Sequence, residues 1–105
     1  MPIQLTKRKP DSVGIILKEE FMEPMGLTNV QLADAMCVHR NTVSAIINGK
    51  DIHAAQAVRL GFAFGTSSEF WLNLQHSVDL WNAANSFESV KNEVTHIEPI
   101  GFTSA

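Results

Sequence analysis

Residues 27–50 read LTNVQLADAMCVHRNTVSAIINGK, and this stretch decides the fold. Thr28 followed three residues later by Gln31 makes a capping box, the signature of a helix start. Leu32, Ala33 and Met36 then recur at the three-to-four spacing that gives a short helix one buried face. Cys37, Val38 and His39 form a turn, with Val38 as its apolar plug. From Arg40 to Asn48 a second helix turns Val43, Ile46 and Ile47 inward, and Gly49 stops it by taking the left-handed conformation. Ala33 suits a steep crossing, where anything larger than a methyl group would push the two helices apart. The pattern is that of a helix-turn-helix, and it points to DNA.

The outward residues of the second helix suit the edges of bases. Arginine forks onto the two acceptors of guanine, asparagine pairs with adenine, and small Thr or Ala side chains touch the thymine methyl group. Arg40, Asn41, Thr42, Ser44 and Ala45 are therefore the candidate reading surface, with Arg40 foremost. Thr28 and Asn29 open the preceding helix, where exposed N–H groups and the helix dipole favour a phosphate. Asn48 and Lys50 would grip the backbone at the other end, setting register rather than sequence choice. The competing interpretation is a solvated helical hairpin in an all-helical domain.

Working outward, the remaining chain also reads as helices. Asp11 or Ser12 caps a first helix with Val13, Ile16, Leu17 and Phe21 as its stripe, broken by Pro24 and Gly26. A helix from about Ala54 to Phe64 offers Ala57, Val58, Leu60 and Phe64 for packing, with Gly61 weakening its middle by about 1 kcal/mol relative to Ala. Ser67 caps a last helix reaching about Phe87. The expected fold is all-α: a five-helix lambda-repressor-like DNA-binding domain with a C-terminal extension. Residues 1–11 form an N-terminal arm, 12–88 the domain and 89–105 a tail. In the tail, residues 94–99 permit a short edge strand, disorder, or ordering by a partner protein.

The last helix is apolar over about half its circumference, wider than one core contact requires. Phe70, Trp71 and Leu74 can close the core, which leaves Val78, Trp81 and Phe87 as the expected homodimer interface. Such a dimer would place two reading helices one DNA turn apart. Folding back of the chain's own C-terminal segment over these residues is the alternative.

The net charge of −3 is unevenly divided. Residues 1–66 hold seven Lys and Arg against six Asp and Glu, whereas residues 67–105 hold one against five. Lys7, Arg8 and Lys9 cluster in the arm, and local basic surface rather than the total neutralises phosphate. No apolar run reaches membrane-spanning length and no secretory signal is present, so a cytoplasmic location is expected. A single cysteine cannot form an internal disulfide and has no second cysteine for a zinc site. His39, His53, His76 and His96 lack paired ligand spacing, and Glu19 and Glu20 diverge on their helix. No metal, cofactor or catalytic residue is expected, and Cys37 reads as a turn residue rather than a redox switch.

Three segments, EEFMEPMGLT (19–28), QLADAMCVHRNTVSAIINGK (31–50) and AVRLGFAFGTSSEFWLNLQ (57–75), together resemble the HigA-type antitoxins, a branch of the Xre/lambda-repressor-like helix-turn-helix family. The resemblance implies the antitoxin of a type II toxin–antitoxin module. Such a homodimer represses its own operon through a palindromic operator and neutralises a RelE-like mRNA-cleaving ribonuclease. Similar proteins carry plasmid-maintenance or virulence-associated names. The family pattern implies phosphate contacts at Asn29 and Asn48 and base contacts at Arg40, Asn41, Thr42, Ser44 and Ala45. Cys37 stands where the family usually has glycine, Gly61 where Ala is commoner, and His39 and His53 where Ser or Pro is commoner. A stand-alone repressor and a pure protein-interaction module are the other readings. The acidic C-terminal part is the candidate surface for a basic toxin.

Overall fold

The computed structural model describes residues 8–99, which contain five helices and no strand. Residues 1–7 of the arm, Lys7 among them, and residues 100–105 of the tail lie outside the described residues. Helix α1 runs over 13–25, α2 over Asn29–Met36, α3 over Arg40–Ile47, α4 over Ala54–Phe64 and α5 over Ser68–Glu88. A short turn of tighter helix, Lys91–Glu93, follows, and the residues beyond it to 99 have no regular structure, so the edge strand considered for 94–99 does not form. Two such exposed residues, His96 and Glu98, instead pair locally at 3.2 Å.

Ser12 caps α1, its hydroxyl accepting from the Ile15 N–H at 3.3 Å. Pro24 does not break this helix. It has no N–H to give to Glu20, and its ring would crowd that carbonyl, so the helix widens over Leu17–Met22, the Glu23 N–H reaching Lys18 O. Gly26, at φ 65°, is the real stop, and the Leu27 N–H closes onto Met22 O at 2.9 Å.

The core gathers one stripe from each helix: Val13, Leu17 and Met22 of α1, Leu32, Ala33 and Met36 of α2, Val43 and Ile46 of α3, Ala57 and Leu60 of α4, and Trp71 of α5. Phe21 stacks at 4.8 Å from Trp71 and 5.0 Å from Phe64, which ties α1 to the hinge between α4 and α5. The Trp71 indole N–H is satisfied by the Thr66 hydroxyl at 2.8 Å.

Two positions on α4 depart from the sequence expectation. Val58 does not pack inward but is 57% exposed, because the buried stripe of α4 runs through Ala57, Leu60, Gly61 and Phe64 and leaves Val58 on the outer flank. Gly61 is not a mere weak point in the helix. A Cβ there would lie 2.9 Å from Thr66 O and 3.1 Å from Ser68 N, so its bare backbone is what lets α5 begin directly against α4.

Candidate nucleic-acid interface

The start of α2 is built as the spacing predicts. Thr28 Oγ1 accepts from the Gln31 N–H at 3.1 Å while Gln31 Oε1 accepts from the Thr28 N–H at 2.9 Å. Gln31 therefore takes up the Thr28 amide, and the first-turn N–H groups of Asn29 and Val30 remain for an outside anion. Asn29 Nδ2 donates to Ser44 Oγ at 3.2 Å, so two predicted contact residues, fifteen positions apart, are joined to each other and lock the start of α2 to the middle of α3.

The turn depends on a residue of the wrong type for its backbone. Cys37 sits at φ 56°, ψ 48°, and is the one non-glycine residue at positive φ among the described residues. The geometry nonetheless closes normally, with Val38 N–H on Ala33 O at 3.0 Å. Left-handed backbone costs an L-residue about 1–2 kcal/mol, partly offset in glycine by the greater freedom it loses on folding. Cys37→Gly is accordingly expected to stabilise the domain by about 0.5–1 kcal/mol, raising Tm by a few degrees. A melt that shows no gain would mean that the thiol itself contributes to the turn.

Arg59 holds the same turn from α4, its Nη1 donating to Met36 O at 2.7 Å and approaching Cys37 O at 3.4 Å. A cation at these carbonyls opposes the negative end of the α2 dipole. Then His39 caps α3, Nδ1 accepting from the Asn41 N–H at 3.0 Å. Val43 and Ile46 anchor the helix in the core; Asn41 is exposed and Ala45 half-exposed on the side opposite Val43, while Arg40, exposed at the first position, and half-exposed Thr42 and Ser44 lie on the flanks. No carboxylate occurs within α3. A shallow concavity beside it is lined in part by Asn41, Thr42, Ala45, Lys50 and Gln56.

After α3, Gly49 turns the chain at φ 106° and the Lys50 N–H reaches back to Ala45 O at 2.9 Å, leaving Asn48 and Lys50 exposed beside the reading face. What fixes this segment was not legible in the sequence. Gln75, 5% exposed on α5, accepts from the Ile52 N–H at 2.9 Å and donates to Asp51 Oδ1 at 3.0 Å and Asp79 Oδ1 at 2.9 Å. Ile52 is itself buried, so the loop is pinned at two adjacent residues. A glutamine on the buried face of a helix was the available signal, because burial of an amide demands partners.

The residues expected at a dimer contact are spread differently. Val78 is 8% exposed and buried within its own chain, and Trp81 is half-buried with Lys9 Nζ 5.7 Å from its ring centroid. Phe87 is 38% exposed, and Leu80, one turn before Ala84, is 64% exposed. His39 and His53 both stand at helix starts. Among the described residues no group of His, Cys, Asp or Glu could hold a metal ion, and no helix is long and apolar enough to cross a membrane.

Known proteins converge on the same geometry. A helix-turn-helix family model matches residues 18–71. Antitoxin HigA-1 of Vibrio cholerae is 52% identical over 90% of this chain and 88% of its own length. The Escherichia coli K12 protein YbaQ, described as an uncharacterised helix-turn-helix transcriptional regulator, is 43% identical over 89% of this chain and 82% of its own. Among solved structures, Pseudomonas aeruginosa antitoxin HigA with the higBA promoter superimposes with a TM-score of 0.77 at 34% identity, covering 88% of this chain and 99% of that one.

Proposed function

The chain belongs to the HigA-type antitoxins of the helix-turn-helix family, which are DNA-binding regulators rather than enzymes, and from that premise we propose that it is the antitoxin of a type II toxin–antitoxin module. In this reading it works in the cytoplasm as a homodimer, represses its own operon by binding a palindromic operator, and neutralises a RelE-like mRNA-cleaving toxin. The observation that carries the DNA half is the exposed, carboxylate-free face of α3, presented beside the first-turn amides of α2. Antitoxin HigA from Pseudomonas aeruginosa, solved with promoter DNA, supports the same half. The toxin half is supported by likeness to Antitoxin HigA-1 over nearly the whole chain.

The roles divide by chemistry. Arg40, Asn41 and Thr42 reach base edges from the first turn of α3; Ser44 and Ala45 follow one turn later, Ser44 held in place by Asn29. Thr28 and Asn29 at one end, and Asn48 and Lys50 at the other, take phosphates. Residues 1–11 act as the arm, 12–88 as the domain and 89–105 as the tail. Acidic residues of the C-terminal part, such as Glu69, Glu88 and Glu93, face a basic ribonuclease.

Arg40→Ala is expected to weaken operator binding by about 1–3 kcal/mol and to relax preference at one base pair. A titration on the operator and its single-base variants reads both, and unchanged affinity would remove Arg40 from the reading surface. The resemblance to YbaQ, a regulator not named as an antitoxin, favours a second reading as a stand-alone repressor. The neighbouring reading frame separates them: an adjacent small basic ribonuclease that co-purifies with this chain is expected of the antitoxin, and its absence would favour the repressor.

A further inference from the structure

The most anomalous surface feature is on α4. Phe62 is 92% exposed, and Val58, one turn earlier, is 57% exposed, while Ala55 continues the row toward the start of the helix. Together Ala55, Val58 and Phe62 form one exposed apolar row, and it is a contiguous row rather than a lone ring that suits contact with another surface. We infer that the outer face of α4, centred on Phe62 and Val58, is where two copies of this chain pair. The inference rests on the reading of the chain as a DNA-binding homodimer and names the surface that makes it one.

Three observations select a second copy over another partner. First, α4 (AAQAVRLGFAF) contains no Asp or Glu, and its one base, Arg59, is spent on Met36 O and Cys37 O. Across a two-fold axis each residue near the axis meets its own copy, so any charge there faces a like charge; a neutral apolar row is self-complementary. A basic partner would gain nothing from this face and would be better held by exposed Glu69, Asp79 and Glu88 on α5. Second, α4 starts just after the loop carrying Asn48 and Lys50, and Gln75 and Arg59 tie it and its neighbours to the reading unit. Pairing through this helix therefore transmits a fixed spacing to the two α3 helices, which a palindrome requires to lie about 34–36 Å apart. Third, Val78 is already buried within the chain and Trp81 half-buried beside Lys9, whereas Phe62 and Val58 are 92% and 57% exposed. A stable contact covers roughly 800 Å² per partner, so this row is the apolar centre and the polar surface around it the rim.

The test is sedimentation of the full chain. Phe62→Glu, at a position so exposed that the folded monomer should be unaffected, is expected to raise the dimer dissociation constant by about thirtyfold or more with unchanged Tm and helical circular dichroism. Val58→Glu should act in the same direction. A wild-type chain that is monomeric at all concentrations, or a Phe62→Glu chain that stays dimeric while Phe87→Glu dissociates, would overturn the inference and, in the second case, move the contact to α5. The functional reading fails separately. If Phe62→Glu dissociates the dimer but the wild type binds no palindromic duplex from its own promoter, pairing through α4 stands and operator binding falls. If the wild type binds that duplex and Phe62→Glu remains a dimer, the reverse holds.

Discussion

Gly14→Ala is expected to destabilise the domain by about 3 kcal/mol, and to weaken operator binding more than its distance from the reading face suggests. Gly14 is buried where α1 crosses α3, and a Cβ placed there would stand 2.1 Å from Ile46 O and 2.8 Å from the Ile47 Cα. Every atom met is backbone, so no side chain can swing aside. Ordinary contact begins at 3.4 Å, and the helices would have to part by about 1 Å. The displaced element is the end of α3, close to Asn48. Urea unfolding reads the stability loss and an operator titration at a temperature where the variant is folded reads the rest. An unchanged unfolding midpoint would mean that α1 and α3 are not in backbone contact. Gly61→Ala, facing Thr66 O at 2.9 Å, should show a smaller loss, because the partner there is a turn rather than the interior of a helix.

Trp71→Ala is expected to cost about 3–5 kcal/mol, a large share of the 5–15 kcal/mol that holds a small domain folded. Trp71 is 0% exposed and is the largest fully buried side chain in the core. Its ring lies 4.8 Å from Phe21, 5.1 Å from Phe70 and 5.9 Å from Phe64, and each such pair adds about 0.5–1.5 kcal/mol beyond its buried area. Removing it also leaves the Thr66 hydroxyl without its indole partner at the α4–α5 turn. Circular dichroism during urea titration is the suitable measurement, since deletion of one of the two tryptophans changes the fluorescence for trivial reasons. A midpoint close to that of the parent would show that α5 is held mainly by contacts elsewhere along its length.

On α5, Trp81 belongs to a wide apolar arc that local pattern alone does not partition. The apolar arc of that helix is wider than one core contact requires, and periodicity cannot say which neighbour covers each part. Val78 and Ala84 are buried within the chain, and the arm placed Lys9 over Trp81. The same holds for α4. Its stripe could be drawn through either Val58 or Gly61, and only the approach of Thr66 and Ser68 made the glycine side the inner one.

By itself the sequence determined whatever depends on near neighbours along the chain. The Thr28–Gln31 capping box, the His39 and Ser67 helix starts, the stops at Gly26, Gly49 and Gly65, and the inward Val43 and Ile46 all follow from interactions within a turn or two of helix. Those interactions also determine that Asn41 and Ala45 leave α3 on the side opposite Val43, with Arg40 exposed at its first position. Tertiary structure alone decided the contacts between residues far apart in the chain: Gly14 against Ile46, Asn29 on Ser44, Arg59 on the α2–α3 turn, Gln75 on Ile52, and the exposure of Phe62. The physical reason is that caps and periodicity are set by local geometry. A close approach or a shared amide requires two helix surfaces to be placed at a definite distance and angle, which no local pattern specifies.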